Sequence, residues 1–473
     1  MRDRSTQLSR IRFRRALTLM LMTLFLPGSA QLAVGNKQTG RISLRVLAGL
    51  VGTMVLLGLV GTLWSSFVFW LLSNTLFLAV VRFGLMVLAL GWAYLFVDAW
   101  RLGDPLALRQ KQRLAMVGIN GLLCFSVAGT LLFASHVVTV QRDFIATMFT
   151  SGKVTEAHQG RFNVLLLGGD SGKTRWGLRP DSITVASIDE NTGKTVLFGL
   201  PRNMANFPFA KGSVMAEQFP HGYNCSTCEL NSLVTWAGDH ASLFKGYPNP
   251  GVEATKEAVQ GITGLRINYY VMANLKGFQQ LVDAVGGVTL TVRDPIPIGA
   301  LGDFHGQYIK AGTRKLNGYQ TLWFARSRMA ADDYSRMARQ KCVMNAMLQQ
   351  LSPKEVVLNF GKIADASAAM VKTDIPASEL DRFMALALKT RKQPVRTVSF
   401  VPPMIKTYNP DVRKIKASVA RATSASKGSA AKSKAPAKTS AKVTRPTGTT
   451  GGSFGNIHQG YTANQTTDLG NAC

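Results

Sequence analysis

The sequence predicts an α/β protein: an α/β/α layered domain with a central mixed sheet, preceded by an N-terminal α-helical transmembrane region. Three observations predict it. Apolar runs near the ~20 residues that cross a bilayer as helix crowd the first 140 positions. Between residues 162 and 408, short β-branched runs that stop at turn residues alternate with helical segments. A mean hydropathy of +0.09 accompanies a net charge of +29, so both an apolar portion and an anionic neighbour are expected.

The chain opens on a basic flank of Arg2, Arg4, Arg10, Arg12, Arg14 and Arg15. A cleavable signal peptide starts similarly, but the later apolar runs favour a retained anchor. Those runs lie at 46–63, 83–100 and 114–135. Lys37, Arg41 and Arg45 precede the first, and Arg101, Arg109, Lys111 and Arg113 separate the second from the third. Basic loops stay in the cytoplasm, so three crossings leave the C-terminal portion extracytoplasmic. The stretch 16–34 cannot span without breaking that parity, and with Pro27 and Gly28 it reads as re-entrant or interfacial. Residues 65–81 either extend the second span, lie at the interface or add a fourth crossing. An even count would place the rest of the chain in the cytoplasm.

Residues 141–161 are polar and read as a linker, and 162–408 as the soluble domain. Phe162 to Leu167 is apolar apart from Asn163 and ends in Gly-Gly-Asp, as suits a strand buried on both faces. Ser182 to Ile188 and Lys194 to Leu200 are two more strands joined by Asn191-Thr192-Gly193. Helices are expected at Glu253 to Gly264 and Asn274 to Val285, and strands at Tyr269 to Met272 and Val288 to Val292. A long helix from Tyr334 to Leu351 stops at Ser352-Pro353, and Glu379 to Leu388 is helical too. No Asp or Glu occurs from Val412 to Thr467, so 409–473 reads as a basic, low-complexity, disordered tail. Such a tail would lie against an anionic wall polymer or serve only as a solvated spacer.

Two stretches carry candidate chemistry. WFARSRMAADDYSRMARQ, Trp323 to Gln340, packs Arg326, Arg328, Arg336 and Arg339 beside Asp332 and Asp333. Guanidinium forks crowded together suit phosphate oxygens, whereas a solvated helix face would show similar Arg/Asp spacing. The second stretch brings three strand ends to one edge: Asp170, then Arg179 and Asp181, then Arg202. Ligands of open α/β sheets bind at such edges. Two carboxylates there suit Mg²⁺ (or Mn²⁺), which takes one or two carboxylates plus substrate phosphates. The phosphate-loop lookalike LLLGGDSGKT fails on spacing, since only three residues separate Gly168 from Gly172.

NVLLLGGDS, RPDSITVASID, LPRN, FQQLVDAVGGVTL, LNGYQTLWFARSR and DDYSRMARQ, in this order behind membrane spans, resemble the LytR-CpsA-Psr family of cell-wall phosphotransferases. The likeness covers residues 162 to 351. It implies an α/β/α fold that binds a polyprenyl-pyrophosphate-linked glycan and transfers the phosphoglycan to peptidoglycan with Mg²⁺ assistance. By motif, Asp170 and Asp181 match the metal carboxylates. Arg179, Arg202, Arg326, Arg328, Arg336, Arg339 and Gln340 match the pyrophosphate side, and Arg202, Arg326, Arg328, Asp333 and Arg336 the catalytic set. One departure stands out: the family's Pro-Arg-Asp is Pro-Arg-Asn here, at Pro201 to Asn203, so no charge is available at that position.

Cys225 and Cys228, with His221 nearby, could begin a zinc site, but four ligands are not visible. An oxidising exterior favours a structural disulfide between them. Cys342 and Cys473 could pair only if the tail folds back. Competing readings are a non-catalytic regulator or scaffold for lipid-linked wall precursors, a polyprenyl-pyrophosphate hydrolase, and a wall-polymer binding module. Nucleic acid is not an expected partner, because the charge lies on membrane flanks and the tail without interleaved aromatics.

Overall fold

The computed structural model describes residues 2–63, 67, 70–71, 74–149, 153–170, 179–299, 306–328, 332–350, 371–427, 464–465 and 467–471. The chain divides into two compact units, Met1–Ala146 and Thr147–Cys473.

The first unit is helical: α1 (Arg2–Phe25), α2 (Ser29–Val34), α3 (Lys37–Leu63), α4 (Thr75–Leu102) and α5 (Gln110–Met148). Gly28, at φ 94°, turns the chain between α1 and α2. A Cβ on it would sit 2.7 Å from the Gly40 carbonyl oxygen, so glycine is required where α2 folds back on α3. Three helices, Lys37–Gly61, Thr75–Leu102 and Gln110–Ala146, are long and apolar enough to cross a membrane. Their most apolar windows are almost wholly uncovered by protein, at 0%, 11% and 6% buried, as expected of surfaces that meet lipid. The expected linker is shorter than 141–161, because α5 continues to Met148. Within 65–81, residues from Thr75 onward belong to the second long helix.

The second unit is built on a six-stranded mixed sheet in the order β10-β3-β2-β1-β4-β9. Its first three strands, β1 (Arg161–Asp170), β2 (Arg179–Asp189) and β3 (Thr195–Leu200), form an antiparallel meander. β4 (Tyr269–Asn274) adds parallel to β1, after the helices α6 (Val214–Gln218), α7 (Leu233–Asp239) and α8 (Pro250–Thr263). Parallel addition needs a crossover, and the long connection from β3 through these helices supplies it. β9 (Val371–Thr373) pairs with β4, and β10 (Arg396–Ser399) with β3. α8 carries its apolar residues on one stripe, so Ala254, Ala258, Val259 and Ile262 are fully buried against the sheet.

The other face holds α9 (Leu275–Ala284), the β5 (Val288–Val292) and β8 (Gly312–Leu316) ribbon, α10 (Gly318–Arg326) and α11 (Asp333–Gln350). The short strands β6 (Ile296–Pro297) and β7 (Tyr308–Ile309) pair beside them, and α12 (Leu380–Arg391) precedes β10. Asn317 caps α10, accepting from the Gln320 amide while Gln320 reaches back to the Asn317 amide.

Phe324 to Arg326 closes the capped helix α10. One expectation is corrected here. Residues 409–473 are not disordered throughout: Val412–Lys427 forms helix α13, whose Ile415 and Val419 are 0% and 3% exposed. That i, i+4 pair buries enough apolar surface to order a segment whose overall composition is that of a tail. Further on, Thr397 N–H donates to the Thr467 carbonyl and Leu469 N–H to that of Val395, so the chain returns to β10. Residues 428–463, the Ser352-Pro353 stop and Cys473 lie outside the described residues.

Candidate active site

The site lies where β1 ends, β2 begins and β3 ends, a shared edge because β2 runs against both neighbours. Ile183 pairs with Leu200, so the register continued by two residues sets Asp181 opposite Arg202. Their side chains meet, with Arg202 Nη1 donating to Asp181 Oδ1 at 2.6 Å. The β1–β2 register shifts at the same place, Gly168 facing Ser182 and Gly169 facing Pro180, which leaves Asp181 as the extra residue of a bulge. Bulges re-aim side chains, and this one turns a carboxylate into the site.

The first turn of α11 completes the cluster. Asp333 Oδ2 accepts from Arg336 Nη2 at 3.0 Å, and its Oδ1 lies 3.3 Å from Arg202 Nε in an ion pair. Arg336 Nη1 also stands 3.7 Å from Asp181 Oδ1. Arg202, Arg336, Asp181 and Asp333 thus alternate charge, two cations bridging two anions. Arg336 is 3% exposed and among the described residues its Nε has no hydrogen-bond partner; nor do the buried Asp332 Oδ2, Ser327 Oγ and Asn203 Oδ1. Unsatisfied buried groups concentrated in one place mark a site that a polar ligand would complete.

Arg179 joins through Asn231, whose Oδ1 accepts from Arg179 Nη2 at 3.2 Å while its backbone N–H donates to the Arg202 carbonyl. Asn231 is 2% exposed and ties two site arginines to one loop. Nothing in its surrounding sequence pattern singled it out. Arg326 lies over the Trp323 ring at 5.4 Å, and Arg328 is exposed. Asp170 pairs with Arg179 in the β1–β2 register, but its side chain lies outside the described residues.

Arg339 is placed differently from its neighbours. It is 1% exposed, its Nε donates to the Phe324 carbonyl at 2.7 Å, and its Nη2 donates to the Ser327 carbonyl. It fastens the end of α10 to α11 and stands apart from the lining of the cavity at the site. Gln340 does line that cavity and donates to the Ala325 carbonyl. Cys225 and Cys228 form a disulfide with a Cα–Cα distance of 4.9 Å.

Burial works to raise the Asp181 carboxyl, but the Arg336 and Arg202 guanidiniums outweigh it and hold the group below its ordinary value. For Arg202, burial is outweighed by Asp333 and Asp181, so its guanidinium is held more firmly protonated. A carboxyl depressed in the fold stabilises above its unfolded pKa, and that contribution is lost as pH falls through the folded value. The stability gap between wild type and Asp181→Asn should therefore be full above about pH 4 and shrink on further acidification. Thermal unfolding across an acid series measures it; a gap that widens instead would contradict the pairing.

Beside the charged cluster opens a cavity of about 170 Å³ whose walls include Ala273, Phe278, Leu322, Val343 and Met347 together with Asp181 and Arg336. Phosphate-seeking groups and an apolar recess thus share one wall. The recess is smaller than the volume that encloses a drug-sized ligand, roughly 300 Å³ or more. It takes the start of an apolar chain rather than the whole of a long one.

Comparison with known proteins gives this geometry its context. Biofilm regulatory protein A of Streptococcus mutans is 27% identical over 274 residues, 56% of this chain and 62% of that protein. The polyisoprenyl-teichoic acid–peptidoglycan teichoic acid transferase TagU of Oceanobacillus iheyensis is 28% identical over 225 residues, 47% of this chain and 61% of that one. The chain therefore spans about three fifths of the length of these curated relatives. The crystal structure of Bacillus subtilis TagV aligns with a TM-score of 0.40 at 22% identity, over 56% of this chain and 97% of that one. The LytR_cpsA_psr family matches residues 135–424, from the end of α5 to α13 and including every site residue named above. With more than half of its length so matched, the chain belongs to the LytR_cpsA_psr family.

Proposed function

We propose that this chain is a membrane-anchored extracytoplasmic phosphotransferase that moves a phosphoglycan from a polyprenyl-pyrophosphate carrier to peptidoglycan. One observation carries the reading: the buried Arg336, whose Nε has no hydrogen-bond partner among the described residues, opens with Arg326 onto an apolar cavity. A polyprenyl pyrophosphate has that same polarity, an anionic head on an apolar chain. The TagU relative's name, a polyisoprenyl-teichoic acid–peptidoglycan transferase, agrees with it. The three apolar helices would hold the second unit at the membrane surface, where such carriers present their head groups.

In the reaction an acceptor hydroxyl attacks the phosphorus that bears the glycan. The bond from that phosphorus to the bridging oxygen breaks, and polyprenyl phosphate leaves with the electron pair. The hydroxyl proton passes to a basic group or to the departing phosphate. Charge accumulates on non-bridging and leaving oxygens, which Arg202 and Arg336, fixed by their ion pairs, would meet together with Arg326 and Arg328. Arg179, steadied by Asn231, extends the same wall. Asp181, held ionised by two guanidiniums, is a weak proton acceptor and belongs to the phosphate side. Asp333 keeps Arg202 and Arg336 in position.

Magnesium or manganese fits this arrangement. Among the described residues Asp181 Oδ2 accepts no hydrogen bond, and the side chain is 32% exposed, so one carboxylate oxygen is available beside the phosphate position. Asp170 and Asp181 would hold the ion with phosphate oxygens, where it would offset phosphate charge. Asn203 in place of aspartate leaves that charge to the ion and the arginines.

The test uses the full chain in detergent with a polyprenyl-pyrophosphate glycan, peptidoglycan fragments and Mg²⁺. Mass spectrometry should find a phosphodiester-linked product, and chelation with EDTA should suppress it. Release of free phosphoglycan instead would identify a hydrolase. Binding of the carrier without either product would identify a regulator or scaffold.

A further inference from the structure

A second groove, sharing no lining residue with the catalytic cavity, lies on the α8–α13 face of the sheet and measures about 560 Å³. Its cations come from three separate parts of the chain: Lys211 from the loop after β3, Arg266 from the segment after α8, and Lys416 from α13. All three are exposed, none forms an ion pair among the described residues, and no lining residue is acidic. Phe219, half-buried, forms part of the wall.

Local geometry keeps the groove open. Gly264 closes α8 at φ 74°, and a Cβ placed there would lie 3.5 Å from Lys416 Cγ. The Lys416 stem therefore lies along a backbone without a side chain, which brings α13 close to the end of α8. Gln260 turns its Oε1 onto the Ile267 N–H, leaving its Nε2 without a hydrogen-bond partner among the described residues. The groove thus offers three positive charges and an uncommitted donor. α13 extends the field, with Arg413, Lys414, Arg421 and Lys427 and no acidic residue. The sequence beyond it stays free of acidic residues to Thr467.

Cations drawn together with no carboxylate among them repel one another, and a row of anions relieves the repulsion. A single phosphate does not span a groove lined from three chain segments; a linear polymer with repeating anions does. We propose that this groove is a binding site for an extended anionic glycopolymer, holding the polymer away from the reacting pyrophosphate. The choice of a wall polymer over other polyanions rests on the phosphotransferase reading, whereas the site's preference for a repeating anion does not.

The experiment measures binding of the full chain, in neutral detergent, to poly(glycerol phosphate), with glycerol phosphate and neutral dextran as controls. Lys211→Ala/Arg266→Ala/Lys416→Ala should weaken polymer binding about tenfold, the size expected of three exposed charge contacts. Wild-type binding should also fade with added salt. The monomer and dextran should bind poorly to both forms. Transfer with a short lipid-linked substrate should be unchanged in the triple variant. Equal polymer affinity in both forms would overturn the proposal. So would a triple variant that loses capture of phosphatidylglycerol vesicles while keeping the polymer, since the groove would then be a membrane contact. Failure of transfer in wild type would count against the catalytic reading and leave this binding result to stand or fall by itself.

Discussion

Arg336→Ala is expected to lower kcat for transfer by about 10²–10³-fold, the usual loss when one preorganised donor to a developing oxyanion is removed. It should also cost about 3–5 kcal/mol of stability, because Asp333 and Asp181 would lose the guanidinium that lies 3% exposed between them. Arg336→Lys separates the two effects. Its ammonium keeps the charge and much of the stability but has no planar fork to reach two carboxylates and a phosphate at once. Thermal unfolding should therefore show Arg336→Lys close to wild type while its kcat stays far below. A lysine variant with near-wild-type turnover would show that charge alone suffices.

Ala273→Phe should raise KM for a long-chain polyprenyl pyrophosphate roughly 10- to 50-fold, as if two or three buried methylenes were lost at about 0.8 kcal/mol each. Ala273 stands on β4 in the cavity wall, facing space shared with Phe278, Leu322 and Val343. A ring there takes up room the start of the chain would occupy. A water-soluble pyrophosphate sugar with a short prenyl tail should lose far less, because its head group is held by the arginines. Equal penalties on long and short carriers would mean that the cavity is not where the chain enters.

Much of this was legible because it depends on local pattern. The β1 to β3 meander follows from Asn191-Thr192-Gly193 between β-branched runs, and β5 falls on Val288 to Val292 as read. The meeting of Asp181 with Arg202 follows from antiparallel parity, since positions flanking one strand pair share an edge. The α13 helix was missed because composition spoke louder than two apolar residues four apart. Arg339 and Arg336 look alike in sequence, yet one fastens α10 through backbone carbonyls and the other bridges two carboxylates. Three residues along a helix turn a side chain by about 300°, and only the packing of α10 decides which arginine lines the cavity.

By itself, then, the sequence determined strands β1 to β5, the apolar spans, the family and the set of charged residues delivered to one sheet edge. These depend on residue type and spacing, which are properties of short stretches. Tertiary structure decided the bulge that aims Asp181, the tie from Asn231 to Arg179, the apolar recess beside the arginines and the groove at Lys416. Each of these joins residues far apart in the chain. Whether such groups meet is set by how helices and sheet pack together, and packing is a property of the whole core.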